Sequence, residues 1–118
     1  MSKTLLVKGE IIFDDVVAFS GATIYVRLMD VSKMDVASRV ITQQVIRKVI
    51  YDPASPRKII FALYGEVPDN RARYTITVHV DRGHDGKIKT GDFINMESYP
   101  VLTQGYSNYV TVHVKQVK

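Results

Sequence analysis

Cysteine and tryptophan are both absent from the 118 residues, and proline occurs only four times. Without cysteine there are no disulfides, no zinc-thiolate site, no thiol nucleophile and no lipid-bearing thiol, so stability must come from packing. No apolar run is long enough for a membrane span. The opening Met1-Ser2-Lys3-Thr4-Leu5-Leu6-Val7-Lys8 offers three apolar positions between charges, too few for a signal-peptide core. The chain as written is therefore expected in the cytoplasm, or in the cell envelope if an anchoring segment precedes it. Runs of like charge are also missing. Sixteen basic and twelve acidic side chains give a net charge of +4, but they lie scattered in pairs such as Arg57-Lys58 and Arg71 with Arg73, the pattern of solvated sheet faces. Nucleic acid is accordingly not expected as a partner.

What is present reads as strands. From Tyr74 to Asp81 the alternation is strict: Tyr74, Ile76, Val78 and Val80 share one face, and Arg73, Thr75, Thr77 and His79 the other. Pro68, Asp69 and Ala72 ahead of Tyr74 resemble the tyrosine corner of immunoglobulin-like sandwiches, whose phenol hydroxyl bonds back to the preceding turn. Other strands are expected at Thr4–Phe13 with a bulge near Gly9, at Ala22–Met29 after a Ser20-Gly21 turn, and at Ser38–Tyr51, where β-branched residues outweigh a length that would suit a helix. Asp30 to Ala37 breaks the alternation and is expected to be a loop or single helical turn. Ile59, Phe61 and Leu63 mark a fourth strand, Ile88 to Tyr99 a sixth that ends at Pro100, and Tyr109 to Val117 a seventh. The expectation is one all-β domain over residues 1–118: a single antiparallel β-sandwich of about seven strands, immunoglobulin/fibronectin-like, with Tyr74, Ile76, Val78 and Phe61 as structural core residues.

The chemical motifs are weak. Asp81-x-Gly83-x-Asp85-Gly86-x-Ile88-x-x-x-Asp92 resembles part of an EF-hand loop, yet the third position is glycine, the last is Asp, the flanks are strands, and Arg82, Lys87 and Lys89 would repel a dication. A hairpin turn is the simpler reading. His79 and His113 are expected on solvent faces, and the spacing points to no carboxylate between them, so no metal site is expected. No nucleophile elbow, zinc-protease helix or phosphate loop occurs. Catalytic residues and cofactors are not expected. Phe61 and Tyr74 belong to buried files, while Tyr25, Tyr64, Tyr106 and Tyr109 remain as surface aromatics that could stack on sugars or single strands if they shared a face.

Leu28-x-Asp30-Val31-Ser32-x-x-Asp35-x-Ala37, Ile59-x-Phe61-x-Leu63, Arg73-Tyr74, Asp85-Gly86-Lys87-Ile88 and Tyr99-Pro100-Val101-Leu102-Thr103-x-Gly105 together resemble the YbaY/YscW family of small bacterial lipoproteins. The resemblance implies a seven-stranded sandwich without catalytic residues. It also implies a partner that is a protein or peptide, because the YscW branch are pilots, or chaperones, for the secretin ring of type III secretion. The alternative is an anionic polymer or carbohydrate held by a basic and aromatic sheet face, with Arg57, Lys58, Arg71 and Arg73 as its first contacts.

Overall fold

The computed structural model describes residues 3–33 and 38–118; Met34 to Ala37, part of the expected loop after Asp30, lie outside the described residues. Eight strands run β1 (Thr4–Phe13), β2 (Phe19–Asp30), β3 (Arg39–Tyr51), β4 (Ile59–Gly65), β5 (Tyr74–Asp81), β6 (Phe93–Asn95), β7 (Pro100–Val101) and β8 (Tyr109–Gln116). The chain is all-β, with no helix among the described residues.

The architecture corrects the two-sheet sandwich. The strands form one sheet in the order β3-β2-β5-β6-β8-β1-β4, with β7 attached to β5, and the sheet curls until its two end strands face each other. The result is a nearly closed, barrel-like sheet around a single core. Nor is it wholly antiparallel. β1 and β8 pair in parallel from Lys8↔Tyr109 to Phe13↔Val114, because the last strand returns between β6 and the first strand in the same direction as the latter. Alternation along one strand reports which face is buried, but both a sandwich and a curled sheet bury one face, so it cannot separate them.

Bulges supply the curl. Ser20-Gly21 is not a turn: β2 starts at Phe19 and passes through Gly21 at φ 77, with register shifts against β3 between Phe19 and Ala22 and again between Ala22 and Ile24. On the facing strand Lys48 adopts φ 57. Each bulge adds an unpaired residue and increases the local twist, which is how a long sheet bends round a core. The bulge in β1 falls between Leu5 and Val7, and Gly9 stays in register opposite Phe61 and Val110. Gly9 is there for space: a Cβ would lie 2.3 Å from the Val110 carbonyl oxygen and 2.5 Å from the Phe61 ring.

Phe61, Tyr74, Ile76 and Val78 are all buried. Phe13, Phe19, Tyr51 and Phe93 pack as an aromatic cluster at one end of the core, with centroids 4.4 Å apart for Phe13 and Tyr51. At the other end the Tyr74 hydroxyl accepts a hydrogen bond from the Asp69 N–H at 3.0 Å, tying the β4–β5 turn to the core.

The sixth strand is much shorter than the expected Ile88 to Tyr99. Only Phe93–Asn95 pairs, and Pro100 opens a short strand instead of ending one, lying opposite Thr75. Side chains stand in for the missing ladder: Asn95 accepts the Val78 N–H at 2.8 Å, and the Thr75 hydroxyl accepts the Tyr99 N–H at 3.1 Å.

Two substitutions probe these contacts. Tyr74→Phe should cost about 1 kcal/mol and Tyr74→Ala roughly 3 to 5, measured by urea unfolding. Gly9→Ala should cost roughly 1 to 3 kcal/mol through overpacking against Phe61 and the β8 backbone. A Gly9→Ala protein as stable as the parent would show that the close approach is not a constraint.

Candidate functional site

Where β3 and β4 meet, the sheet stops short of closing. Main-chain pairing is absent between them, and two side chains bridge the gap: the Ala62 N–H donates to Gln44 Oε1 at 2.9 Å, and the Thr42 hydroxyl donates to the Tyr64 carbonyl at 2.9 Å. A side chain can span this distance only because the strands lie farther apart than the roughly 4.8 Å of a ladder. Ala62 N–H and Tyr64 C=O both point into the gap, so by strand alternation the main-chain groups of Ile60 point there too, with no strand to pair with.

A cleft opens on each side of this bridge. One, of about 380 Å³, is lined by Arg39, Tyr64 and Glu66 and reaches the core residues Leu6, Leu28 and Tyr74. The other, of about 340 Å³, lies between the bulged end of β3 and the start of β4. Ile50 and Ile60 on its walls are 59% and 60% exposed, unusual for large aliphatic side chains, and Arg47, Lys48, Arg57 and Lys58 surround them. One of these cations has a partner, Lys58, whose Nζ lies 3.4 Å from Glu10. A third cleft, of about 450 Å³, lies under the β7 region beside Val31, Arg73, Pro100 and Tyr106. Hydrogen bonds occupy the backbone around it: Arg73 N–H to Ser32 Oγ at 2.8 Å, and Thr103 Oγ1 to the Ala72 carbonyl at 2.6 Å. The backbone at Ala72 and Arg73 is therefore already engaged.

The histidine expectations need correcting. His79 is buried, not exposed, and its Nε2 donates to Asp92 Oδ2 at 2.8 Å, so a carboxylate is supplied from thirteen residues away. His113 is separated from it by β6 and pairs instead with Asp14, at 2.7 Å. His79, Asp81 and Asp92 do converge, with ligand atoms within 4.8 Å of one another. Their lone pairs are already engaged. Asp81 Oδ1 accepts from the Gly83 and His84 N–H groups and Oδ2 from Gly86, while Asp92 accepts from Arg82, Lys89 and His79. The acidic residues of the EF-hand-like pattern thus organise the loop's own backbone. Burial pushes the Asp92 carboxyl up, and the His79 ring and the two backbone donors outweigh it, leaving the group below its ordinary range.

The cations do not form one face, and the surface aromatics are not all together. Tyr25 stacks on His79 beneath Arg27, whereas Tyr64 and Tyr109 lie on the two strands that flank β1, opposite Leu5 and Lys8, and Tyr106 shares a cleft with Leu5. Arg57 and Lys58 lie at one end of the seam, whereas Arg71 and Arg73 lie at the opposite end of the barrel, in and just after the β4–β5 turn. Sequence reasoning missed the seam because no residue in it is unusual by type. The local signal was two basic-apolar clusters, Arg47 to Ile50 and Arg57 to Ile60, on either side of the break from Asp52 to Pro56.

The family profile described as type III secretion system lipoprotein chaperone (YscW) matches residues 2–114. The chain belongs to the YscW family. Comparison with curated proteins gives no match. Among solved structures, an alternative pilotin from the type II secretion system of Vibrio cholerae is similar, with a TM-score of 0.75 and 23% identity over 95% of this chain and 96% of that one. The barrel-like sheet is thus shared with that pilotin. Membership of a chaperone family supports a role in protein interaction, and no helix among the described residues is long and apolar enough to cross a membrane.

Two measurements test the polar cluster. Asp92→Asn should cost about 2 to 4 kcal/mol at neutral pH, since it weakens a buried hydrogen bond to His79 and two backbone bonds. Because the folded Asp92 titrates below its ordinary value of 3.8, its contribution is fully present above that pH and is lost as pH falls through the folded value. The Asp92→Asn protein should lose less stability than the parent between pH 7 and about pH 3, with the residual slope coming from Asp30, Asp69 and Asp85, whose carboxyls are lowered too. Millimolar calcium should leave the melting temperature unchanged; a rise reversed by chelator would show that Asp81 and Asp92 can exchange their N–H donors for a cation.

Proposed function

We propose that this YscW-family protein is a non-catalytic, chaperone-like module that holds a segment of a protein partner at the seam between β3 and β4, the family pointing to a secretin subunit as that partner. The observation that carries the reading is the unclosed barrel, where the Ile60 edge of β4 faces a gap bridged by the side chains of Gln44 and Thr42. A peptide strand laid there would gain main-chain pairing on β4 and apolar contact with Ile50 and Ile60, the physics of strand addition. Hydrogen bonds already engage the backbone around the third cleft among the described residues, and Tyr25 stands apart from the other surface aromatics, which weakens the reading as a polymer or sugar platform. A secretin partner would make the cell envelope its working compartment.

The test begins with a pull-down from the source organism, followed by amide exchange on the complex. Bound partner should protect the Ile60, Ala62 and Tyr64 amides, and raising salt from about 50 to 500 mM should weaken binding by less than roughly a hundredfold. Protection confined to other strands would overturn the site. A loss of several thousandfold, as expected for about four phosphate contacts at a logarithmic slope near −0.9 each, would replace the protein partner by an anionic polymer.

A further inference from the structure

The two clefts of the seam differ in charge, and the difference specifies what the basic one accepts. Arg47 and Lys48 on β3 and Arg57 and Lys58 after the β3–β4 loop are all exposed, and they surround the exposed side chains of Ile50 and Ile60. Glu10 answers only Lys58. Three cations thus stand without an acidic partner among the described residues, around apolar surface and beside the unpaired main-chain groups of Ile60. We infer that this end of the seam binds an acidic, extended polypeptide segment, which pairs its backbone with β4 at Ile60, seats an apolar side chain between Ile50 and Ile60, and sets carboxylates against Arg47, Lys48 and Arg57.

An anionic bilayer fits less well. The loops at the same end of the barrel carry exposed Arg82, Lys87 and Lys89 as well as Asp14, Asp52 and Asp85, so basic surface extends beyond the cleft, and what sets the cleft apart is the strand edge of β4 that runs along it. Main-chain groups of Ile60 would also stay unpaired against lipid, whereas a strand satisfies them. Charge complementarity would speed encounter and select among partners, and backbone pairing with the apolar anchor would retain the bound one.

The inference rests on the protein-interaction reading and narrows it. The probe is a short fluorescein-labelled peptide alternating glutamate and valine, titrated against the whole protein by anisotropy. Binding should weaken about tenfold or more in Arg47→Glu with Arg57→Glu, and a lysine–valine counterpart should not bind. The same acidic peptide N-methylated at alternate residues, which leaves the protein untouched, should lose binding by a similar factor because it cannot pair along an edge. Equal affinity for the acidic and basic peptides, for the charge-reversed protein, or for the N-methylated peptide would overturn the inference. So would failure to bind the acidic peptide while phosphatidylglycerol vesicles bind the parent and not the charge-reversed protein. If a partner captured from cells protects Ile60 but the acidic peptide does not bind, the acidic assignment alone falls; if no partner protects Ile60, the seam reading falls with it.

Discussion

Two side-chain hydrogen bonds, from Ala62 to Gln44 and from Thr42 to Tyr64, stand where a main-chain ladder would complete the barrel. Strand pairing elsewhere is continuous from β3 round to β4, so this seam is the place where the curled sheet runs out of register with itself. Closing a sheet requires strand tilt, stagger and length to agree. Here β3 has 13 residues and β4 has 7, and β3 shifts register against β2 at several points, so the two end strands do not match in length. An exposed edge is ordinarily a hazard for aggregation, and the charges along this one are a common protection. In this protein they also frame a site.

The opposite side of the barrel is held differently. The strand β6 is only three residues long, and the long loop before it is fastened by Asp81 and Asp92, whose four carboxylate oxygens collect the N–H groups that a hairpin ladder would have used. A loop organised in this way resembles a cation site in sequence, since both uses need carboxylates at short spacing near glycine. Only the direction of the donors separates them: here the backbone points N–H groups, not carbonyls, at the carboxylates.

Much of the fold was legible in the residues. The strand from Tyr74 to Asp81, the first strand and the final one follow from alternation, and the β-branched run from Ser38 to Tyr51 is a strand despite its helix-compatible length. The resemblance to the YscW family was carried by five short phrases spread along the chain, and the family match over residues 2–114 agrees with it. Less legible were the glycines. Gly9 and Gly21 both break alternation, yet one makes room for the Phe61 ring and the other forms a bulge inside a strand where a turn was expected.

Alternation, β-branching and the spacing of turn residues are local properties, and they determined that the chain is all-β, most of the side chains that face the core, and that Tyr74 heads a buried file. Whether the sheet splits into two layers or curls into one, and whether the first and last strands run parallel, depends on pairing between residues as far apart as Lys8 and Tyr109, which no local pattern records. The burial of His79 against Asp92 depends on the same long-range register. So does the seam. Its residues are ordinary strand and loop residues in sequence, and they become a site only because two end strands of one curled sheet arrive side by side without being able to pair.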